Sequence, residues 1–353
     1  MKCLADYKEK IHSCSKCGLC QAVCPIYKIT GNDCTVSRGQ FIMLKGLIKG
    51  DLKKSKTINK YLDLCLKCGA CSKFCPAGID VVDIIASAKA EYFKQSIINK
   101  FLSFLLKTFI LGLGLNIIKI FVPKTKSKSF DKKVVYFGGC GAKLLGNKTV
   151  TTLMNSVGIE VISSDFECCG LPFYVKGDFK SFEYYMNSFF KKLEGKENIE
   201  IVTNCASCEK MLKSYSKWNP DKVYTVKNIF EYIKENNLHF ELEKNTKVTF
   251  HKPCNMSNFE DIKWILNNTK NLEYIEMKDY DKCCGLNGID KFSKYNIMSK
   301  LFSEKHQNII NTGAKTVLTS CLGCQKVLEL FSFGKYKVYD LADFLVRNIK
   351  NDN

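Results

Sequence analysis

The chain has 353 residues, 20 cysteines and a formal charge of +19, and it is long enough for two or three domains with cores of their own. That length, and the absence of an apolar leader in Met1-Lys-Cys-Leu-Ala-Asp-Tyr-Lys-Glu-Lys10, argue against a small secreted disulfide scaffold. Eighteen of the cysteines fall into repeated motifs, leaving only Cys3 and Cys34, which fits thiols kept reduced in a cytoplasm and committed to metal.

The basic balance has three readings: a lysine-rich composition, an anionic membrane surface or an acidic partner. The lysines are scattered rather than interleaved with aromatics, and no nucleic-acid motif is present, so no nucleic-acid partner is expected.

The first informative stretch is Cys14-Ser-Lys-Cys17-Gly-Leu-Cys20-Gln-Ala-Val-Cys24-Pro25, repeated as Cys65-Leu-Lys-Cys68-Gly-Ala-Cys71-Ser-Lys-Phe-Cys75-Pro76. Three thiolates at steps of three can hold three irons of one cubane, while the fourth, before proline, leaves the loop and serves the other cluster. The expected ligand sets are therefore Cys14, Cys17, Cys20 and Cys75 for one [4Fe-4S] cluster, and Cys65, Cys68, Cys71 and Cys24 for the second. A zinc ribbon would need only paired knuckles and no Cys-Pro exits. Between the runs, Ser37 to Ile48 has helical spacing with Ser37 as its cap, and Ile79 to Ala90 continues as another helix. Residues 1–92 thus read as a mostly helical two-cluster ferredoxin module.

Residues 93–133 hold an apolar segment, Phe101 to Val122, and a lysine-rich run from Pro123 to Lys133 that reads as a solvated linker. Lys107, Asn116 and Lys119 interrupt the apolar segment, so helices packed on protein are favoured over interfacial membrane contact and over a true span.

From Val134 the chain repeats itself. Val134 to Cys140 corresponds to Val248 to Cys254, Cys168-Cys169-Gly170 to Cys283-Cys284-Gly285, Cys205-Ala-Ser-Cys208 to Cys321-Leu-Gly-Cys324, and Val223-Tyr224 to Val338-Tyr339. The offsets are 114, 115, 116 and 115 residues. In the first copy Val134–Phe137, Ile159–Ile162 and Ile199–Thr203 read as strands, with helices over Lys148–Val157 and Phe179–Leu193. That order predicts a Rossmann-like parallel βαβ sheet with the cysteines at its carboxyl edge. The domains expected are 134–245 and 246–353, and the overall class is α/β.

Cys140, Cys168, Cys169, Cys205 and Cys208 would then converge on one site, and Cys254, Cys283, Cys284, Cys321 and Cys324 on another. Five thiols exceed what a structural zinc needs and suit a polynuclear iron–sulfur cluster; four-thiolate zinc and thiol–disulfide exchange stay open. His251, at a strand end, is expected to satisfy a backbone carbonyl, and Glu167, opposite Lys282 in the second copy, has no assigned role.

These two units, with His251-Lys-Pro253-Cys254 and Val36-Ser37-Arg38-Gly39 between the ferredoxin runs, resemble the cysteine-rich "CCG" domain proteins. That family includes heterodisulfide reductase subunits, an iron–sulfur component of anaerobic glycerol-3-phosphate dehydrogenase and the iron–sulfur subunits of glycolate and lactate oxidases. The domain order is most similar to the glycolate oxidase iron–sulfur subunit. The resemblance implies an electron-transfer subunit that takes electrons from an FAD-containing partner, which oxidises a 2-hydroxy acid, and passes them to quinone or another acceptor. It also implies one or two further [4Fe-4S] clusters in the cysteine-rich domains, with zinc as an alternative in one. Full five-cysteine units hold non-cubane clusters in heterodisulfide reductase, so disulfide or quinone chemistry at such a cluster is the alternative, and a metal-binding protein without turnover a distant third. The protein would be cytoplasmic, with peripheral contact on the inner face of the membrane left open. No dinucleotide fingerprint follows any strand: Gly138-Gly139-Cys140-Gly141 has its glycines at the wrong steps.

Overall fold

The computed structural model describes residues 1–111, 125–140, 147–163, 166–196, 198–285 and 295–349. The chain divides into two compact units, one of Met1–Phe104, Pro172–Phe182 and Lys282–Lys305, the other of Leu105–Leu171, Glu183–Asp281 and His306–Asn353.

The first unit is helical: α1 Lys8–His12, α2 Leu19–Val23, α3 Pro25–Thr30, α4 Ser37–Lys49, α5 Lys56–Leu64, α6 Ala70–Lys73, α7 Val81–Phe93 and the start of α8 Ile97–Leu111. Phe41 and Leu44 of α4, Leu62 of α5 and Ile84, Ile85 and Ala88 of α7 form its core. Full burial of a Leu, Ile or Phe side chain contributes roughly 1.5–3 kcal/mol, so this helical spacing is what fixes the module. Ser37 proves to be the first residue of α4; Val36 is the N-cap and gives no side-chain bond. The later helix starts at Val81, where Asp80 caps it by accepting from Asp83 N–H, and runs on to Phe93. The buried Lys89 ammonium bonds Asn59 at 2.8 Å and pairs with Asp63, just ahead of the second cysteine run. On α8 Ile97, Ile98, Phe101, Leu102, Phe104 and Leu105 are exposed, and Ser103 on the opposite side is buried. Among the described residues no helix is long and apolar enough to cross a membrane. The glycines and polar residues expected to interrupt the apolar run at 112–119 lie outside the described residues.

The second unit holds two four-stranded parallel sheets. Strands β1 Lys132–Tyr136, β2 Ile159–Ser163, β3 Glu200–Thr203 and β4 Val226–Asn228 lie in the order β2-β1-β3-β4. Strands β5 Phe240–Phe250, β6 Thr269–Tyr274, β7 Thr316–Thr319 and β8 Lys337–Asp340 repeat it as β6-β5-β7-β8. Ladder bonds correspond too: Phe137 N–H donates to Val202 C=O and His251 N–H to Leu318 C=O, each at 2.8 Å. The fold is thus α/β, as the β-branched runs predicted, with the helices Lys148–Ser156 and Phe179–Lys192 falling within a residue of their expected ends. One core joins both sheets, drawing Val134 and Tyr136 from β1 and Val248 and Phe250 from β5.

Three sequence expectations shift. The fourth strand begins at Val226, which is buried, whereas Val223 is 68% exposed. Burial therefore sets Val226, not Val223, opposite Val338. The stretch read as a solvated linker is tied down: Thr125 N–H donates to Asn147, Val161 N–H to Ser127 and Phe130 N–H to Glu160. Strand β5 starts at Phe240 and runs across the expected division at 245/246, with a register break between Glu241 and Thr246.

Candidate metal centres

In the first unit the two cysteine runs share a backbone shape. Lys16 and Gly18 around Cys17, and Lys67 and Gly69 around Cys68, all have positive φ, between 53° and 86°. Left-handed residues on both sides of the middle cysteine wrap the loop tightly; glycine takes this shape without strain, and each lysine accepts a small cost. Short helices α2 and α6 follow, then Cys24 and Cys75 leave each loop ahead of proline, Pro25 opening α3.

Two cavities collect these thiols. Cys14, Cys17, Cys20 and Cys75 line one, with Ser37, Arg38 and Phe41. Cys24, Cys65, Cys68 and Cys71 line the other, with Ser37 and Gln40, and Cys71 reaches both. Burial pushes the Cys24 thiol up to about 11 and raises Cys71 further still. Such thiols give up their protons only to a metal.

In the second unit each sheet reverses its strand order between its first and third strands, β1|β3 and β5|β7. Ligands bind at such a switch point, outside the carboxyl ends. Cys140 follows β1 and Cys205 follows β3; Cys254 follows β5 and Cys321 follows β7. The first set forms a continuous chain of sulfur contacts. Cys168 bonds Cys140 and Cys169, Cys169 bonds Cys208, Cys208 bonds Cys205, and Cys205 bonds Cys321 of the second repeat. Hydrogen bonds from Cys168 and Cys208 hold Cys169 well below the usual thiol range, while Cys168 and Cys208 are driven well above it. Cys140 is likewise lowered by Cys168, and Cys321 is held low by Cys205 and Cys324. Soft, buried, partly ionised sulfurs in this number suit an iron–sulfur or zinc centre, and five suit the former better.

The glycine of each Cys-Cys-Gly has a role that spacing did not reveal. Gly170 N–H donates to Cys168 Sγ at 3.3 Å and Gly285 N–H to Cys283 Sγ at 3.4 Å, both glycines at positive φ. Tyr215 donates its hydroxyl to Cys169 C=O at 3.0 Å. His251 is fully buried with a ring nitrogen within 4.8 Å of Cys324 Sγ, so sulfur stands beside the ring expected to serve a carbonyl. Cys324, Cys321 and Cys284 are buried and Cys254 half-buried; Cys283 and Cys284 fall on the segment grouped with the first unit. There Cys283 packs against the same buried cluster, which includes Ile26, Leu64 and Leu66, as Cys24 and Cys68 do. Glu167 Oε2 is buried with no hydrogen-bond partner among the described residues.

Residues 10–79 match the 4Fe-4S dicluster domain, and residues 134–213 and 248–329 each match the cysteine-rich domain. The chain is an iron–sulfur electron-transfer protein that joins a dicluster domain to two cysteine-rich domains and carries multiple [4Fe-4S] clusters. It is 23% identical to the probable glycolate oxidase iron-sulfur subunit of Bacillus subtilis, covering 97% of this chain and 96% of that protein. It is also 23% identical to a dihydromethanophenazine:CoB–CoM heterodisulfide reductase subunit of Methanosarcina acetivorans, covering 90% and 88%. A third relative is a fumarate reductase (CoM/CoB) subunit of Methanothermobacter marburgensis, 25% identical over 96% of this chain and 73% of that one. A hypothetical protein from Helicobacter pylori shares the fold at a TM-score of 0.50 and 11% identity, covering 89% of this chain and 68% of that one.

Proposed function

We propose that this chain is the electron-transfer subunit of a flavin-dependent 2-hydroxy-acid dehydrogenase of the glycolate or lactate type. The grouping of eight ferredoxin thiols into two cavities, each with three cysteines of one run and the exit cysteine of the other and Cys71 reaching both, supports the two-cluster wire, and the similarity to glycolate oxidase iron-sulfur subunits supports the donor. Cys14, Cys17, Cys20 and Cys75 hold one cubane and Cys24, Cys65, Cys68 and Cys71 the other; the two five-cysteine sets hold further clusters, zinc being the alternative in one. Oxidation of the hydroxy acid to the oxo acid releases two electrons and two protons to the partner's FAD. Single electrons then pass to this chain and on to quinone or another acceptor. The exposed apolar side of α8 would seat the complex peripherally on the inner face of the membrane.

The test is anaerobic purification with metal and flavin analysis. About sixteen irons with a co-purifying flavoprotein support the proposal. About eight irons with about two zincs would make the repeats zinc domains. A preparation that oxidises hydroxy acid without any flavin overturns it.

One observation favours a second reading. Cys205 and Cys321 touch, so the sulfur sites of the two repeats adjoin. Adjoining clusters could share two electrons with a single disulfide or quinone, as a heterodisulfide-reductase-like catalytic subunit would. Thiol release from a disulfide by the reduced protein, in the absence of a flavoprotein, would select that reading.

A further inference from the structure

A cavity beside the first cysteine set is lined by Cys140, Cys205 and Cys208 together with Tyr136, Asn204, Gln325 and the carboxyl group of Asp340. Asp340 is 7% exposed. It caps the helix Leu341–Asn348, accepting from Ala342 and Asp343 N–H at 3.1 and 3.3 Å, and also bonds the Asn204 side chain. Asn204 in turn accepts from the Tyr136 hydroxyl at 3.1 Å and immediately precedes Cys205.

The matching cap of the first repeat is neutral. There Asn228 caps the helix Ile229–Glu235, and the acid sits instead at Glu209, bonded by Asn228 and by Lys213 at 2.7 Å. In the second repeat Gln325 replaces Glu209, and the acid has moved to the cap. A cap needs no charge, since asparagine serves equally well. The charge at 340 therefore has another use.

The groups that line the cavity with Asp340 are Asp343 on its own helix, Tyr136 on β1, the Cys205 and Cys208 thiols, and the neutral Thr149 and Gln325 from the helices Lys148–Ser156 and Leu322–Leu330. Asp343 is itself paired with Arg347. No lysine or arginine is among the described residues that line the cavity. Burial pushes the Asp340 carboxyl up to about 7, and Asp343 pushes in the same direction. A buried carboxylate next to a site that gains negative charge on reduction is placed to take up a proton.

We propose that Asp340 takes up one proton when the first cysteine site accepts one electron, linked to that site through Asn204, which it bonds and which immediately precedes Cys205. The step balances: an electron from a one-electron donor reduces the site, and a proton from water converts the Asp340 carboxylate to the acid, leaving the local charge unchanged. Reoxidation returns both. Asp340 acts through Asn204 and positions a proton; it is not a ligand. The inference rests on the reading that these five cysteines hold a redox cluster.

The experiment is a spectroscopic redox titration of the anaerobically purified holoprotein between pH 6 and 9. The wave that Cys169→Ser abolishes is expected to fall with pH, approaching the limit of about 59 mV per tenfold change in proton concentration for one electron. D340N, which keeps the cap, is expected to flatten that slope at unchanged iron content, and D340E to restore part of it. A wild-type wave that is flat with pH, or a slope that survives in D340N, overturns the proton inference alone. A titration that Cys169→Ser leaves wholly unchanged overturns the reading of the site beneath it.

Discussion

Gly39→Ala tests how the ferredoxin module holds its two cavities apart, because two opposing effects can be weighed at one atom. Alanine in a helix interior is favoured over glycine by about 1 kcal/mol. A methyl group at position 39, however, would lie 2.1 Å from the Asp33 carbonyl oxygen, 2.6 Å from its carbon and 3.1 Å from Cys34 Cα. Contacts between such atoms are comfortable at about 3.5 Å, so α4 or the turn Asp33–Thr35 must move by more than about 1 Å. These atoms are backbone and cannot swing aside. Overpacking of that kind costs about 1–3 kcal/mol, which exceeds the propensity gain. The displaced elements carry Thr35, Val36 and Ser37, which line the second cavity, and Ser37 and Arg38, which line the first. The expected result is a loss of roughly 1–2 kcal/mol, read as a lower guanidinium midpoint for bleaching of the iron–sulfur absorbance, together with reduced iron content. Gly46→Ala on the same helix is the control. Its methyl would meet only the Leu52 side chain, at 2.7 Å, and that side chain is 43% exposed and free to rotate away. Gly46→Ala should therefore be neutral, or stabilising by up to about 1 kcal/mol. A Gly39→Ala protein as stable as wild type, with its iron intact, would refute the reasoning.

Cys24→Ala should damage the cluster of the second cysteine run and Cys75→Ala that of the first; EPR spectra in which each run loses its own cluster would reject the crossed ligand sets. Lys89→Met should destabilise the first unit by about 3–5 kcal/mol in denaturant melts, since it breaks the buried Lys89–Asp63 ion pair; Asp63→Asn in the same background should recover part of that loss. Asp340→Asn should stabilise the protein above pH 7 by about 2–4 kcal/mol. The sign follows from a folded carboxyl raised to about 7 against 3.8 for the free group: between those values the unfolded chain sheds a proton that the folded one keeps. The advantage should shrink as pH falls and vanish below about 4, and melts showing a constant difference across pH would contradict it.

The cysteine spacing made most of the chemistry legible, because a ligand loop is local and its steps are read along the chain. The β-branched runs at Val134, Ile159 and Ile201 likewise placed three strands, since a buried parallel strand must be apolar on both faces. What depended on three-dimensional burial was harder. Val223 and Val226 look alike in sequence, and only packing on β3 selects the second. Ser127 and Thr125 sit in a lysine-rich run that composition marks as linker, yet their bonds to Val161 and Asn147 pin it. The contact between Cys205 and Cys321 lies between residues far apart in the chain, and no local pattern encodes it. Aligning the repeats on these cysteines would still have exposed one clue, the exchange of acid and amide between Glu209/Asn228 and Gln325/Asp340.

That exchange bears on how duplicated sites diverge. In the first repeat the acid beside the cysteine helix is Glu209, which pairs with Lys213 and accepts from the Asn228 side chain. In the second repeat the amide has taken the helix position, where Gln325 bonds Val338 C=O, and the acid stands in a cavity lined by no lysine or arginine among the described residues. The cavity, however, is lined by the cysteines of the first repeat, Cys140, Cys205 and Cys208. On the proposal for Asp340, the second copy supplies the titratable group for the first copy's sulfur site. The backbone bond from Ala206 N–H to Ser320 C=O at 2.9 Å, and that between the Ser207 hydroxyl and Cys321 Sγ at 3.3 Å, hold the two edges in register for this. On that proposal the first copy's cysteine set depends on the second copy for its proton partner, which favours keeping both repeats in one chain.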